Sequence, residues 1–179
     1  MKKGGKGGAN TRSGLVFEKK NDLIQALESL KSYSLKPAEN GAGYIVYFKN
    51  KEVARAFKKH QFYNFLKEKG INWKDYLSKQ IIPDSGIFII IRDTLFIIEI
   101  KFQQVEGSVD EKLQTCDFKR KQYIKLVKSL NWKVEFIFVL NDWFRNPKYK
   151  DVLEYIRYMN CEYVFNEIPL KWLGLPVDD

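Results

Sequence analysis

Pro83-Asp84, followed by Glu99-Ile100-Lys101 at the end of an apolar run, supplies two carboxylates and an ammonium group within one short stretch. Carboxylates bind magnesium as hard oxygen ligands, with water and phosphate completing its octahedron. A lysine beside them offsets their mutual repulsion and stabilises the charge that develops on a phosphodiester under attack. The chemistry this combination suits is metal-assisted phosphodiester hydrolysis. Asp84 and Glu99 are the expected ligands, and the carbonyl of Ile100 is a candidate for the same ion. Lys101 is expected to contact the phosphate and to position or deprotonate the attacking water. The plainer alternative is a Glu99–Lys101 ion pair at a sheet edge, with Asp84 a turn residue.

The elements that must position these groups are legible. Gly86–Ile91 and Leu95–Phe102 read as two strands, nearly continuous in apolar character and so covered on both faces. Side chains alternate along a strand, so Leu95, Ile97, Glu99 and Lys101 share one face and Phe96, Ile98, Ile100 and Phe102 the other. A turn at Asp93-Thr94 sets Arg92 opposite Leu95 and Asp84 opposite Gln103. At about 3.3 Å per residue that leaves Asp84 some 13 Å from Glu99. A bend or bulge at Ser85-Gly86 is expected to correct the register.

Around this centre, helical patterns are expected from Ser13 to about Lys31 and from Lys51 to about Lys69. Tyr44–Phe48 is a strand, and Ser108 with Glu111 forms a capping box for a helix reaching Leu130. Val134–Leu140 is a strand, 148–158 a helix after Pro147, and Cys161–Phe165 a last strand. The expected class is α/β, a mixed central sheet with helices on both faces. Residues 1–12 form a flexible basic arm of glycine and lysine, and 13–179 a single domain.

A net charge of +9 points to a polyanionic partner. The lysines and arginines cluster, and Lys2, Lys3, Lys6, Asn10, Arg12, Lys112, Lys119, Arg120 and Lys121 are the candidate DNA contacts. Two cysteines without Cys/His clustering argue against a disulfide framework or zinc site and for a reducing compartment. The apolar runs are too short to span a bilayer, and no apolar segment follows the first charges. A cytoplasmic protein without membrane association is expected. The glycines at 4, 5, 7 and 8 lack the preceding strand and the Gly-Lys-Ser/Thr ending of a phosphate-cradling loop. His60, the single histidine, reads as a surface or packing residue.

Through Pro83-Asp84 and Glu99-Ile100-Lys101, and the order of elements from about 13 to 140, the chain resembles the PD-(D/E)XK nuclease superfamily. Gly7-Gly8-Ala9-Asn10-Thr11-Arg12-Ser13-Gly14-Leu15-Val16-Phe17-Glu18 and Gly107-Ser108-Val109-Asp110-Glu111-Lys112-Leu113-Gln114 look like segments of type II restriction endonucleases. The resemblance implies a restriction-endonuclease-like fold, a Mg2+ cofactor and cleavage of a short site in double-stranded DNA, with a homodimer matching a palindrome. It further implicates Glu18 as a metal ligand from the first helix, although Glu18 lies opposite that helix's Val16/Leu23/Leu27 face. Gln114 is implicated as a polar residue near the metal. Three alternatives remain open at this level. They are a junction resolvase acting on DNA structure, a catalytic subunit that needs a partner for recognition, and a DNA-binding module with a degenerate site.

Overall fold

The computed structural model describes residues 14–17, 23–82, 86–105, 107 and 109–178. The side chains of residues 86–90, 109 and 110 are likewise outside the described set. The chain is a mixed α/β protein whose sheets are flanked by helices. Its elements are β1 (Gly14–Val16), α1 (Leu23–Glu28), β2 (Tyr33–Pro37), β3 (Tyr44–Phe48), β4 (Lys51–Lys58), α2 (Gln61–Glu68) and β5 (Gly86–Ile91). They continue with β6 (Thr94–Lys101), α3 (Val109–Leu113), α4 (Cys116–Val127), β7 (Lys133–Leu140), α5 (Lys150–Tyr158), β8 (Glu162–Phe165) and β9 (Glu167–Pro169).

A seven-stranded sheet runs in the order β2-β3-β4-β5-β6-β7-β8. Neighbours from β2 to β6 are antiparallel, whereas β6–β7 and β7–β8 are parallel, with helices in the crossovers. One face packs Leu95, Ile97, Phe136, Phe138 and Leu140 against α2, α4 and α5. The other packs Phe96, Ile98, Ile137 and Val139 against α1 and the segment around Leu170–Leu175. Both faces of β6 are therefore covered, and the alternation read from its sequence holds residue for residue.

Three expectations are corrected. The stretch 51–69 is not one helix. Residues 51–58 form β4, hydrogen-bonded between β3 and β5, so the partners on either side override the helix-forming Ala54-Arg55-Ala56. The chain then turns at Lys59, with φ of 46°, and the Gln61 side chain accepts from Lys58 N at 2.8 Å as α2 begins. Nor is 13–31 one helix. Gly14–Val16 pairs with the distant Glu167–Pro169, and the helix itself is α1. The helix foreseen up to Leu130 is broken at Gln114-Thr115, because the Lys112 carbonyl accepts from both Thr115 Oγ1, at 2.7 Å, and Thr115 N. Ser108, its expected cap, lies outside the described residues. Tyr158 and Trp172 are exposed.

Candidate functional site

The β5–β6 turn decides how the two halves of the motif relate. Ile91 pairs with Thr94 and the loop is Arg92-Asp93, two positions from the expected register, so Gly86 sits directly opposite Glu99. A bulge at Ser85 is therefore not needed to bring the start of β5 level with Glu99. Among the described residues, a register shift lies in β3–β4, at Val46/Tyr47. Asp84, Ser85 and Pro83 lie outside the described residues, as do Glu18, Lys2, Lys3, Lys6, Asn10 and Arg12.

Beyond Gly86 the described part of β5 ends, while β6 continues through Ile100 and Lys101 alongside Val139 and Leu140 of β7. Glu99 is thus the last residue of β6 with a described partner on the β5 side. Its side chain is only 1% exposed. Lys119 Nζ, from α4, donates to Glu99 Oε1 at 2.7 Å and Oε2 at 3.0 Å. Lys101 Nζ lies 3.6 Å from Oε2, and its own side chain is 8% exposed. Burying a carboxylate is costly unless close partners compensate, and these two lysines supply them.

Lys119, Arg120 and Lys121 are consecutive candidate DNA contacts. The helix separates them, since successive residues on an α-helix point about 100° apart. Lys119 turns to Glu99, Arg120 Nε donates to the Val134 carbonyl at 3.2 Å, and Lys121 pairs with Asp117 at 2.8 Å on the exposed side. The signal for Lys119 was present in the sequence. It is the charged member of the stripe Cys116, Lys119, Tyr123, Leu126 and Val127, whose other members are fully buried. Lys112 and Gln114 are exposed, at and just after the end of α3. Ile100 packs its side chain on the face opposite Glu99.

Tyr123, four residues after Lys119 and so on the same helix face, was also missed. Its hydroxyl donates to the Ile81 carbonyl at 2.8 Å, and Tyr63 donates to the same oxygen at 3.0 Å. Ile81 N–H in turn donates to the Tyr63 hydroxyl at 2.9 Å. Burial, with Tyr63 and the Glu99 charge adding, pushes the Tyr123 phenol well above its ordinary range. Burial likewise raises Tyr63, to about 12, although its hydrogen bond to Ile81 pulls the other way. Both phenols stay protonated at neutral pH and grip the main chain two residues before Pro83. At the end of β6, Gln103 and Asn141 cross-link the strand ends. Asn141 Nδ2 donates to the Gln103 carbonyl at 2.7 Å and Gln103 N to Asn141 Oδ1 at 3.2 Å. Gln103 Nε2 donates to Val105 O at 2.7 Å, and its buried Oε1 accepts no hydrogen bond from the described residues.

Among the described residues no three His, Cys, Asp or Glu side chains converge as a metal-binding group, and no helix is long and apolar enough to cross a membrane. No protein-family model, curated protein or solved structure matches the chain.

Proposed function

We propose that the protein is a magnesium-dependent endonuclease of restriction-endonuclease-like fold that hydrolyses DNA phosphodiester bonds, and within that class a type II restriction endonuclease cutting a short duplex site. The observation that carries this reading is the buried Glu99 carboxylate near the end of β6, with Lys101 at 3.6 Å and Lys119 at 2.7 Å. An ion pair serving stability alone gains little from such burial, because desolvation offsets the attraction. A site that handles a divalent cation and a phosphate needs both signs of charge in a dry place.

The residues suit the ion in kind. Glu99 offers hard oxygens, as magnesium requires, and Lys119 lies across both of them, so a cation there takes the place of that ammonium. Asp84 is the proposed second ligand. Two residues of chain reach at most about 7 Å from Gly86, which pairs with Glu99. Glu18 and the Ile100 carbonyl complete the proposed set. Bound magnesium supplies Lewis acidity to the phosphate and lowers the pKa of a bound water. Lys101 and Lys119 stabilise phosphate charge, and Lys101 positions the water. DNA is the proposed partner on the +9 net charge, with a homodimer to match a palindromic site.

Plasmid cleavage in magnesium, calcium or chelator tests this, comparing wild type with Glu99→Ala, Lys101→Ala and Lys119→Ala. Discrete fragments in magnesium alone, lost in Glu99→Ala and cut at least about 100-fold more slowly in Lys101→Ala, are expected. Variants that cut like the wild type, or cleavage in chelator, refute the assignment. Preference for a four-way junction over linear duplex would shift the reading to a resolvase.

A further inference from the structure

A separate cleft of about 460 Å3 opens beside α2, lined by Tyr63, Asn64, Lys67, Trp73 and Gln80 among others. Its volume falls in the range of small-ligand sites. Gln80 in its wall precedes Ile81, whose carbonyl Tyr63 and Tyr123 both hold.

Two amides in the cleft have one end engaged. Asn64 Nδ2 donates to the Gly41 carbonyl at 3.2 Å, which leaves Oδ1 as an acceptor. Gln80 Oε1 pairs with His60 Nδ1 at 3.2 Å, which leaves Nε2 as a donor. A donor and an acceptor in one cleft match the paired groups on a base edge, as in amide recognition of adenine. Trp73 adds aromatic surface and is held edge-on to Tyr63, with centroids 6.1 Å apart. Lys67 lines the cleft, and Lys74 Nζ lies 5.9 Å from the Trp73 ring centre. A bare phosphate would use only the lysines. A purely apolar ligand would strand the amides without partners. A base with its phosphate uses the ring, the amides and the cations together.

We infer that this cleft receives one unstacked nucleobase of a nucleic-acid strand, stacked on Trp73, read at its edge by Asn64 and Gln80, with its phosphate towards Lys67. The inference takes its ligand class from the proposed function and places a base contact next to the segment that leads into Pro83-Asp84.

The test titrates the full chain, without magnesium, with deoxyadenosine monophosphate, inorganic phosphate and a single-stranded oligonucleotide carrying one 2-aminopurine. Side-chain amide signals of Asn64 and Gln80 and the indole N–H signal of Trp73 should move with the nucleotide and stay in place with phosphate. Trp73→Ala should weaken oligonucleotide binding by about fivefold or more. The double variant Asn64→Leu/Gln80→Leu, which leaves Trp73 and the core intact, should weaken the nucleotide as well. Equal shifts with phosphate alone, or a nucleotide that leaves all three signals unmoved, overturn the cleft. If those signals stay still while plasmid is cut in magnesium and Glu99→Ala abolishes cutting, the cleft fails and the nuclease stands. If they move while plasmid stays uncut, the nuclease reading fails and the cleft stands.

Discussion

Glu99 is a carboxylate that the fold buries and then supplies with two cations, and the partner that matters most comes from α4. Removing Lys119 leaves that carboxylate, among the described residues, with the longer Lys101 contact at 3.6 Å. Lys119→Met is therefore expected to cost about 2–4 kcal/mol in urea unfolding. Glu99→Gln/Lys119→Met should recover part of that loss, because the double change removes the buried carboxylate, while Lys101 gives up its Glu99 contact. Equal losses in the single and double variants would show that the two residues are uncoupled. The cysteines give a second expectation. Cys116 opens α4 and Cys161 precedes β8; both thiols are buried, and Cys161 Sγ donates to the Met159 carbonyl at 3.7 Å. The interaction between the two thiols lowers Cys116 while burial opposes it, and the same interaction with burial pushes Cys161 up. Buried thiols are shielded from reagents, so native protein should not react with Ellman's reagent until it unfolds. Rapid native modification of either residue would contradict the packing.

At the level of elements, the phenol grip on Ile81 ties α2 and α4 to the strand entry. Tyr63→Phe removes the acceptor for Ile81 N–H, whereas Tyr123→Phe removes only a donor to its carbonyl. Hydrogen exchange at the Ile81 amide should accelerate in the first variant and stay slow in the second. Each change should cost about 1–2 kcal/mol. The raised phenol also sets an alkaline limit. A folded-state pKa of about 12 against an ordinary 10 means Tyr63 stabilises the fold below pH 10, and that contribution is lost as pH rises from 10 through 12. Alkaline unfolding of Tyr63→Phe should depend less steeply on pH in that window, and an unchanged slope would count against the burial. At the start of β3, Gly43 has φ of 80°, and a Cβ there would stand 2.3 Å from the Ala56 carbonyl oxygen. Backbone conformation and space both exclude a side chain, so Gly43→Ala should lose about 2–4 kcal/mol in thermal or urea unfolding.

Across the whole molecule, the two ends of the described chain meet on one face of the large sheet. β1 pairs with β9, and Asp178 accepts from Ser32 Oγ at 2.6–2.7 Å and pairs with Lys49 at 3.1 Å. The Ser32 hydrogen bond, then Lys49, holds the Asp178 carboxyl below the usual range. This tether acts at neutral pH and is lost as pH falls below 3.8 through the folded-state value. The +9 charge carries its own expectation for binding. Duplex affinity should fall linearly with the logarithm of salt, with a slope of about 0.9 per phosphate neutralised. A flat salt response would leave that charge a solubility device.

What was readable from residues alone was what depends on local geometry. The two-residue repeat assigned Glu99 and Lys101 to one face of β6 and Ile100 to the other, because side chains alternate wherever a strand forms. β7, α5 and β8 were legible for the same reason, being short elements of strong pattern between clear breaks. Contacts between distant segments were not legible. β4 is a strand because β3 and β5 flank it, although its alanines and arginine suit a helix equally well. The pairing of Gly86 with Glu99 was settled by a two-position choice of turn. Lys119 joined Glu99, and Cys116 met Cys161, only when α4 packed on the sheet. Pattern tells which way a side chain faces along its own element, but packing alone decides which element it faces.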